Sequence, residues 1–506
     1  MNLRKCGLLM ALSGTCLLAA TPAEIETKIN ALISRMTIEE KLGQMSQSSF
    51  PKGLPDRARG EIRGGRWGSF FNGGTPQEKA EAQRIAIHES RLGIPIIYGQ
   101  DVIHGFHTVF PIPLGQSASW DPELVRQAAR IAAREASAVG IHWTFAPMMD
   151  IARDPRWGRI AESLGEDPYL AGVLAAAMVS GFQGEALDAP DSIAACGKHY
   201  VGYGAAEAGR DYNTTWIPET LLRDVYLRPF QMARKAGAAT FMSAFNALNG
   251  VPASGNGFTL RHVLRDEWGF DGFVVSDYTA ITEMIAHGHA SDAQDAALKG
   301  IRAGVDMEMV STNYYDNGKA LIDARVLDPK LIDQAVRNIL RVKFRLGLFD
   351  NRPQPASTPA EQPSREALEI ARRLATESLV LLKDRNGVLP LAKSVGKVAV
   401  IGPLADSPTD QMGTWAMEAN RSAVRTPLAA MRQKLGENRV VQAAGLKTSR
   451  DTGSTGFAAA VDAARAADVA VLFLGEESSL SGEASSRSML DLPGAQEDLA
   501  REVAKV

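Results

Sequence analysis

The chain has 506 residues, of which 45% are apolar and 22% charged, and its formal net charge is −3. These are the proportions of an ordinary globular protein, and the length suits about two to four domains with cores that need no staples. Without a long basic or acidic run, nothing in the charge calls for nucleic acid or an anionic membrane as partner.

The first residues stand apart. Arg4 and Lys5 precede an apolar stretch from about Cys6 to Ala20, followed by Thr21-Pro22-Ala23. A basic segment, an apolar segment and small residues at a cleavage point make a secretory signal peptide over residues 1–23, cut near Ala20 or Ala23. The stretch is too short to span a bilayer. An acylated Cys16 fits less well, because Thr15 stands where Gly or Ala is expected. No later segment reads as transmembrane, so the expectation is a periplasmic or secreted protein with no membrane attachment after cleavage. Cys6 and Cys16 lie in the signal, which leaves Cys196 as the single mature cysteine and excludes a disulfide framework. Cys196 reads as a small buried hydrophobe.

Thr37 and Glu40 form a capping box that opens a helix from Ile38 to about Gln47. Strand-like and helix-like segments then alternate. Strands are expected at 68–72, 94–98, 144–148, 192–196, 239–244, 273–276 and 305–309. Asp121-Pro122 starts a helix that runs to about Val139, with Gly140 as its stop, and Pro218-Glu219 starts another that ends near Gly237. This alternation over residues 24–350 predicts a (β/α)8-type barrel, with an open doubly wound sheet as the alternative. Prolines at 353, 355, 359 and 363 mark a semi-rigid linker over 351–364. A second α/β unit, a sandwich over 365–506, begins with a helix at 365–377. It has strands at 398–401, 440–443 and 469–474 and a last helix from Gln496, and it reads as incomplete at Val506.

The stretch Gly269 to Tyr278 organises the barrel. Phe273 to Ser276 is a short buried strand, entered through Gly272 and stopped by Asp277. Polar residues at the C-terminal ends of barrel strands are where chemistry is placed, so Asp277 is a candidate catalytic carboxylate. Taken alone, it could equally cap the next turn.

Other polar residues follow other strands. They are Asp101 and His104; Asp150 and the run Arg153 to Arg159; Lys198, His199, Arg210, Asp211 and Tyr212; and Asn246 and Asn249. In a barrel these converge on one rim. Carboxylates, cations and an aromatic together suit a ligand covered in hydroxyl groups. His104 and His107 lack a third ligand at a convincing spacing, so no metal is expected, and no organic cofactor is implied. In the second unit, a long loop from Leu474 to Gly494 is rich in small residues and acids. A carboxylate from it facing Asp277 would complete a pair for cutting glycosidic bonds.

Several segments together resemble family 3 glycoside hydrolases, most of all the exported bacterial β-glucosidases. They are Tyr98-Gly99-Gln100-Asp101-Val102-Ile103-His104-Gly105, Asp154-Pro155-Arg156-Trp157-Gly158-Arg159, Glu162-Ser163 with Glu166-Asp167-Pro168, Lys198-His199-Tyr200, Asn249-Gly250-Val251-Pro252, Val275-Ser276-Asp277 and Gly482-Glu483-Ala484-Ser485-Ser486-Arg487. The resemblance implies Asp277 as nucleophile and Glu483 as acid/base. Asp101, Arg159, Lys198 and His199 would hold sugar hydroxyls, with Arg210 and Tyr212 nearby and Trp415 as an aromatic wall. Phe245 stands where a tyrosine contact would be tempting. The family's N-acetylglucosaminidases carry an Asp-Ser-His motif after Lys-His, and none follows Lys198-His199. The implied activity is retaining hydrolysis of terminal β-glucosyl residues from short glucans or glucosides. β-Xylosidase or arabinosidase specificity, a phosphorylase, a Schiff-base lyase through Lys198 and a sugar-binding protein without turnover remain alternatives.

Overall fold

The computed structural model describes residues 21–350, 352, 362–385 and 387–506. Residues 1–20 of the expected signal and most of the expected linker lie outside them. The described chain opens on a helix that the sequence reading did not anticipate, Pro22–Ile33. Thr21 and Glu24 close its N-terminus with reciprocal hydrogen bonds. Glu26 on this helix pairs with Arg337 and Arg341 of helix Pro329–Arg345, which ties the start of the barrel to its end.

Eight strands form one sheet: β1 (Ser46–Ser49), β2 (Ser69–Phe71), β3 (Ile97–Gln100), β4 (Trp143–Thr144), β5 (Cys196–Tyr200), β6 (Thr240–Ser243), β9 (Phe273–Tyr278) and β10 (Met307–Met309). A small antiparallel hairpin, β7 (Ala247–Leu248) and β8 (Val251–Pro252), sits between β6 and β9. Neighbours in the order β4-β3-β2-β1-β10-β9-β6-β5 all pair in parallel. The ends of that row also meet. Trp143 bridges Ala194, Met148 bridges Lys198, and the Thr144 N–H donates to the Ala194 carbonyl at 2.9 Å. Closure removes both sheet edges and brings the C-terminal ends of the strands to one rim.

The strands differ from expectation in two places. β1, Ser-Gln-Ser-Ser, overlaps the end of the segment expected to be helix, and the helix itself stops at Gln44. It has no apolar alternation because its buried side chains are polar and bond to their neighbours: Ser46 donates to the Leu42 carbonyl, and Gln47 donates to Ser69 of β2, which donates to the Ile97 carbonyl. β5 starts at Cys196, where the expected strand ended, so Lys198 and His199 lie within it. Along the helical segment 219–235 the backbone widens into a π-turn at Leu222–Tyr226, just ahead of Pro229. Proline supplies no N–H to the ladder there, and the wider turn accommodates the mismatch.

Lys343 seals the opposite end of the barrel. Its ammonium donates to Gln44 Oε1 at 2.7 Å, the Gly68 carbonyl at 2.8 Å and the Pro95 carbonyl at 2.7 Å. Those residues precede β1, β2 and β3. Burial pushes its pKa down to about 7.

Gly272 admits β9 to the barrel. A Cβ there would lie 2.0 Å from the Ala239 carbonyl oxygen and 2.7 Å from the Phe270 ring. Gly272→Ala is therefore expected to lower the unfolding free energy by about 2 kcal/mol, the usual cost of overpacking a tight core. Equilibrium urea denaturation measures it, and an unchanged midpoint refutes the role.

The second unit has a three-stranded parallel sheet in the order β12-β11-β13, from β11 (Val398–Ile401), β12 (Val440–Ala443) and β13 (Val469–Leu472). Val398 and Val400 pack with Leu428 on one face, while Ala399 and Ile401 pack with Leu446, Ala460 and Leu499 on the other. Helix Arg365–Glu377, expected to open this unit, instead buries Ala367 and Leu374 in the barrel's core cluster. Among the described residues, no helix is long and apolar enough to cross a membrane.

Candidate active site

Asp277 lies near the C-terminal end of β9 and is 7% exposed. Its Oδ1 accepts the Tyr278 N–H at 2.7 Å. Its Oδ2 lies 3.4 Å from His199 Nε2. His199 Nδ1 is 2.8 Å from Asp150 Oδ2, which also accepts the His199 backbone N–H at 2.8 Å. Arg159 Nη2 stands 3.0 Å from His199 Nε2. A guanidinium only donates, so Nε2 accepts and the proton belongs on Nδ1, facing Asp150. Burial, with Arg159 and Lys198 nearby, holds the pKa of His199 well below its ordinary value, which keeps the ring neutral.

Arg159 comes from the turn Gly158–Glu162 and is fully buried. It grips Glu162 with two hydrogen bonds of 2.8 and 3.1 Å, and its Nη1 reaches to 3.8 Å from Glu483 Oε1. One planar cation thus touches Glu162, His199 and Glu483. Lys198 lies 3.2 Å from Asp101 Oδ1 and 3.9 Å from Glu162 Oε2, and its ammonium is 5.3 Å from the centre of the Trp415 ring.

These surroundings set the charges. Burial pushes the Asp277 carboxyl up to about 8, and Glu483 adds to the rise while Arg159 and Lys198 oppose it. The two cations favour the ionised form, but the cost of burying the anion outweighs them. Asp150 is pushed up to about 7, again chiefly by burial. Glu162 is buried too, yet Arg159 and Lys198 hold it below the usual range.

The second unit supplies the other wall. Residues 482–487 lie antiparallel against residues 156–158. The Gly158 N–H donates to the Ser485 carbonyl at 2.9 Å, the Gly482 N–H to the Gly158 carbonyl at 2.8 Å, and the Arg487 N–H to the Arg156 carbonyl at 2.8 Å. Gly158 has to be glycine here, because an added Cβ would stand 2.4 Å from the Ser485 carbonyl oxygen. The ladder carries Glu483 over the rim with its side chain 29% exposed, and Tyr212 Oη donates to Glu483 Oε1 at 2.7 Å. A second loop brings Trp415. His104 Nε2 lies 2.6 Å from the Thr414 carbonyl oxygen, and Gln100 donates to Glu418 at 2.9 Å.

Of the residues singled out from the sequence, Asp101, Arg159, Lys198, His199, Tyr212 and Trp415 are in contact with one another or with Asp277 and Glu483. Arg210 does not join them. Its side chain is exposed and makes no hydrogen bond or ion pair among the described residues. Arg159 and Glu162 form a buried salt bridge. Two neighbours that the sequence placed on the rim without a role, Asp150 and Asp211, and a third that it did not count among the rim residues, Tyr278, complete the site. Asp150 orients His199, and its place after β4, like that of Asp101 after β3, was the available signal. Asp211 binds the loop that carries Glu483. Tyr278 follows Asp277 and exposes 46% of its surface on the rim. The arrangement offers two carboxylates from two domains, above a floor of donors and acceptors suited to hydroxyl groups.

Residues 37–342 match the glycosyl hydrolase family 3 N terminal domain, and residues 379–506 match the family's C-terminal domain. A periplasmic beta-glucosidase of Salmonella typhimurium is 38% identical over 508 residues, covering 95% of this chain and 66% of that protein. A beta-xylosidase of Formosa agariphila is 34% identical over 505 residues, covering 95% of this chain and 65% of its own length. The chain thus spans just under two thirds of these curated relatives. The crystal structure of a beta-glucosidase from Listeria innocua in complex with glucose superposes with a TM-score of 0.89 at 37% identity, covering 95% of this chain and 68% of that one. A mutant of the same enzyme has been solved with laminaribiose at 38% identity and the same TM-score. The parallel barrel, the α/β unit behind it and the sequence matches across both agree, and the chain belongs to glycosyl hydrolase family 3.

Proposed function

We propose that the chain is a retaining β-glucosidase that removes terminal β-glucosyl residues from short glucans or glucosides. The observation that carries this reading is the contact across the domains. Asp277 at the end of β9 and Glu483 on the docked loop are linked through His199 and Arg159, at 3.4, 3.0 and 3.8 Å. Two carboxylates held over a hydroxyl-binding floor are the equipment for double displacement.

Asp277 attacks the anomeric carbon while Glu483 protonates the departing oxygen. The negative charge of Asp277 is then consumed in the glycosyl-enzyme ester, which leaves Arg159 and the Tyr212 hydroxyl beside Glu483 as it takes a proton from the incoming water. Asp101, Lys198, His199 and Arg159 hold the sugar, and Trp415 and Tyr278 offer ring faces to it. The relatives named as beta-glucosidases and the structures solved with glucose and laminaribiose support glucose in this pocket. The relative named periplasmic, together with the basic and apolar first residues, supports export to the periplasm.

The 34% identical beta-xylosidase favours a second reading, in which the pocket takes a pentose. Nitrophenyl β-glucoside, β-xyloside and α-arabinoside decide between them. A kcat/KM for the glucoside about tenfold or more above the others is expected, because the hydroxymethyl group is worth on the order of 1–3 kcal/mol in a fitted site. A preference for the xyloside establishes the second reading, and turnover of none of them overturns both.

A further inference from the structure

We infer that Asp211 is a positioning residue that sets the orientation of Glu483. This rests on the proposed role of Glu483 as acid/base. Asp211 lies on the barrel rim after β5, and both carboxylate oxygens are engaged. Oδ1 accepts from the Trp157 indole N–H at 2.7 Å and from Tyr203 Oη at 2.6 Å. Oδ2 accepts from the Ala484 backbone N–H at 2.7 Å, and the Asp211 N–H donates to Ser486 Oγ at 3.0 Å.

Ala484 directly follows Glu483, so its N–H belongs to the peptide plane that carries Glu483's own carbonyl. Ala484 sits at φ +59°, a left-handed conformation that costs a residue with a side chain about 1 kcal/mol or more. A charge-assisted hydrogen bond to that N–H holds the conformation in place. The backbone ladder to residues 156–158 binds the loop on either side of Glu483, at Gly482 and at Ser485 to Arg487. Asp211 is the side chain that takes the peptide between them.

An amide cannot do this. In Asp211→Asn, one oxygen remains for either the Trp157 and Tyr203 donors or the Ala484 donor. The new NH2 group then faces another N–H. The ladder survives, but the peptide after Glu483 loses its acceptor and turns.

The test compares wild type, Asp211→Asn and Glu483→Ala on aryl β-glucosides that differ in leaving-group acidity, with and without azide. Asp211→Asn is expected to lower kcat/KM for phenyl glucoside about 100-fold, within the span general acid catalysis contributes, and that for dinitrophenyl glucoside less than about tenfold. Added azide is expected to speed its turnover and yield β-glucosyl azide. The melting temperature should stay near that of wild type. Should the asparagine variant fail to fold, Asp211→Ala gives the same readout, since a methyl group leaves room for water to serve the freed donors. Equal losses across all leaving groups with no azide effect, or kinetics like those of wild type, overturn the inference. If Glu483→Ala itself shows no leaving-group dependence and no azide product, the acid/base reading fails instead, independently of Asp211.

Discussion

Replacing Asp277 with alanine is expected to abolish turnover of every aryl β-glucoside alike, by about 10⁴-fold or more, as losing a covalent nucleophile does elsewhere. The loss should not depend on the leaving group, because without a nucleophile no glycosyl-enzyme forms however good the leaving group is. Incubating wild type with a 2-fluoro glucoside should add one glycosyl mass to the peptide that contains Asp277, and a label on another residue refutes the assignment. Stability should move the other way. Asp277 is buried, and burial pushes its carboxyl up to about 8. A carboxyl raised in the fold costs stability at every pH above its ordinary value of about 4. Asp277→Ala removes that cost, and its melting temperature at neutral pH should equal or exceed that of wild type. The same shift acts on catalysis. The acid limb of kcat/KM should fall well above pH 4, with activity lost as pH drops and Asp277 takes up its proton.

Glu483→Ala should show a different pattern. Glucosides with poor leaving groups should lose about 10²- to 10⁴-fold, the span of general acid catalysis, while dinitrophenyl glucoside should still be cleaved in its first step and stall as the glycosyl-enzyme. Azide needs no general base, so it should release the sugar as a β-glucosyl azide. Formation of the α-azide would mean inversion, and absence of any rescue would remove Glu483 from the role. Tyr212→Phe provides a milder companion, since it withdraws only the hydrogen bond of 2.7 Å to Glu483 Oε1.

The strands that sequence patterning found are those buried on both faces by apolar side chains, such as β9 and β11. β1 escaped because its buried residues are serine and glutamine, which bond to the Leu42 carbonyl and to Ser69 and give no apolar period. β5 was placed early because its second half, Lys198 and His199, is polar for the sake of the site. The two carboxylates were legible through their motifs and through the rule that barrel chemistry sits at strand ends. Asp150 and Asp211 were placed on the rim by their positions after strands, but their roles escaped because each acts on another site residue, and contacts of that kind depend on the fold. Arg210 shows the converse. It is a basic residue in a loop beside the site, and its side chain is exposed without a hydrogen bond or ion pair among the described residues. The upward shift of Asp277 was also out of reach of sequence, since the two cations near it could be guessed and the depth of burial could not.

The ladder between residues 156–158 and 482–487 has a consequence for the order in which this protein comes into being. Asp211 and Ala484 are 273 residues apart, so the loop that carries Glu483 is synthesised well after the residues it docks on. A barrel that has just folded already contains Asp277, His199, Arg159 and Lys198, but it lacks the group proposed to hand over a proton. On the function proposed above, such an intermediate would hold a sugar without cutting it. On the same reading, hydrolysis waits until residues 482–487 have settled against residues 156–158, and a molecule without that contact is latent.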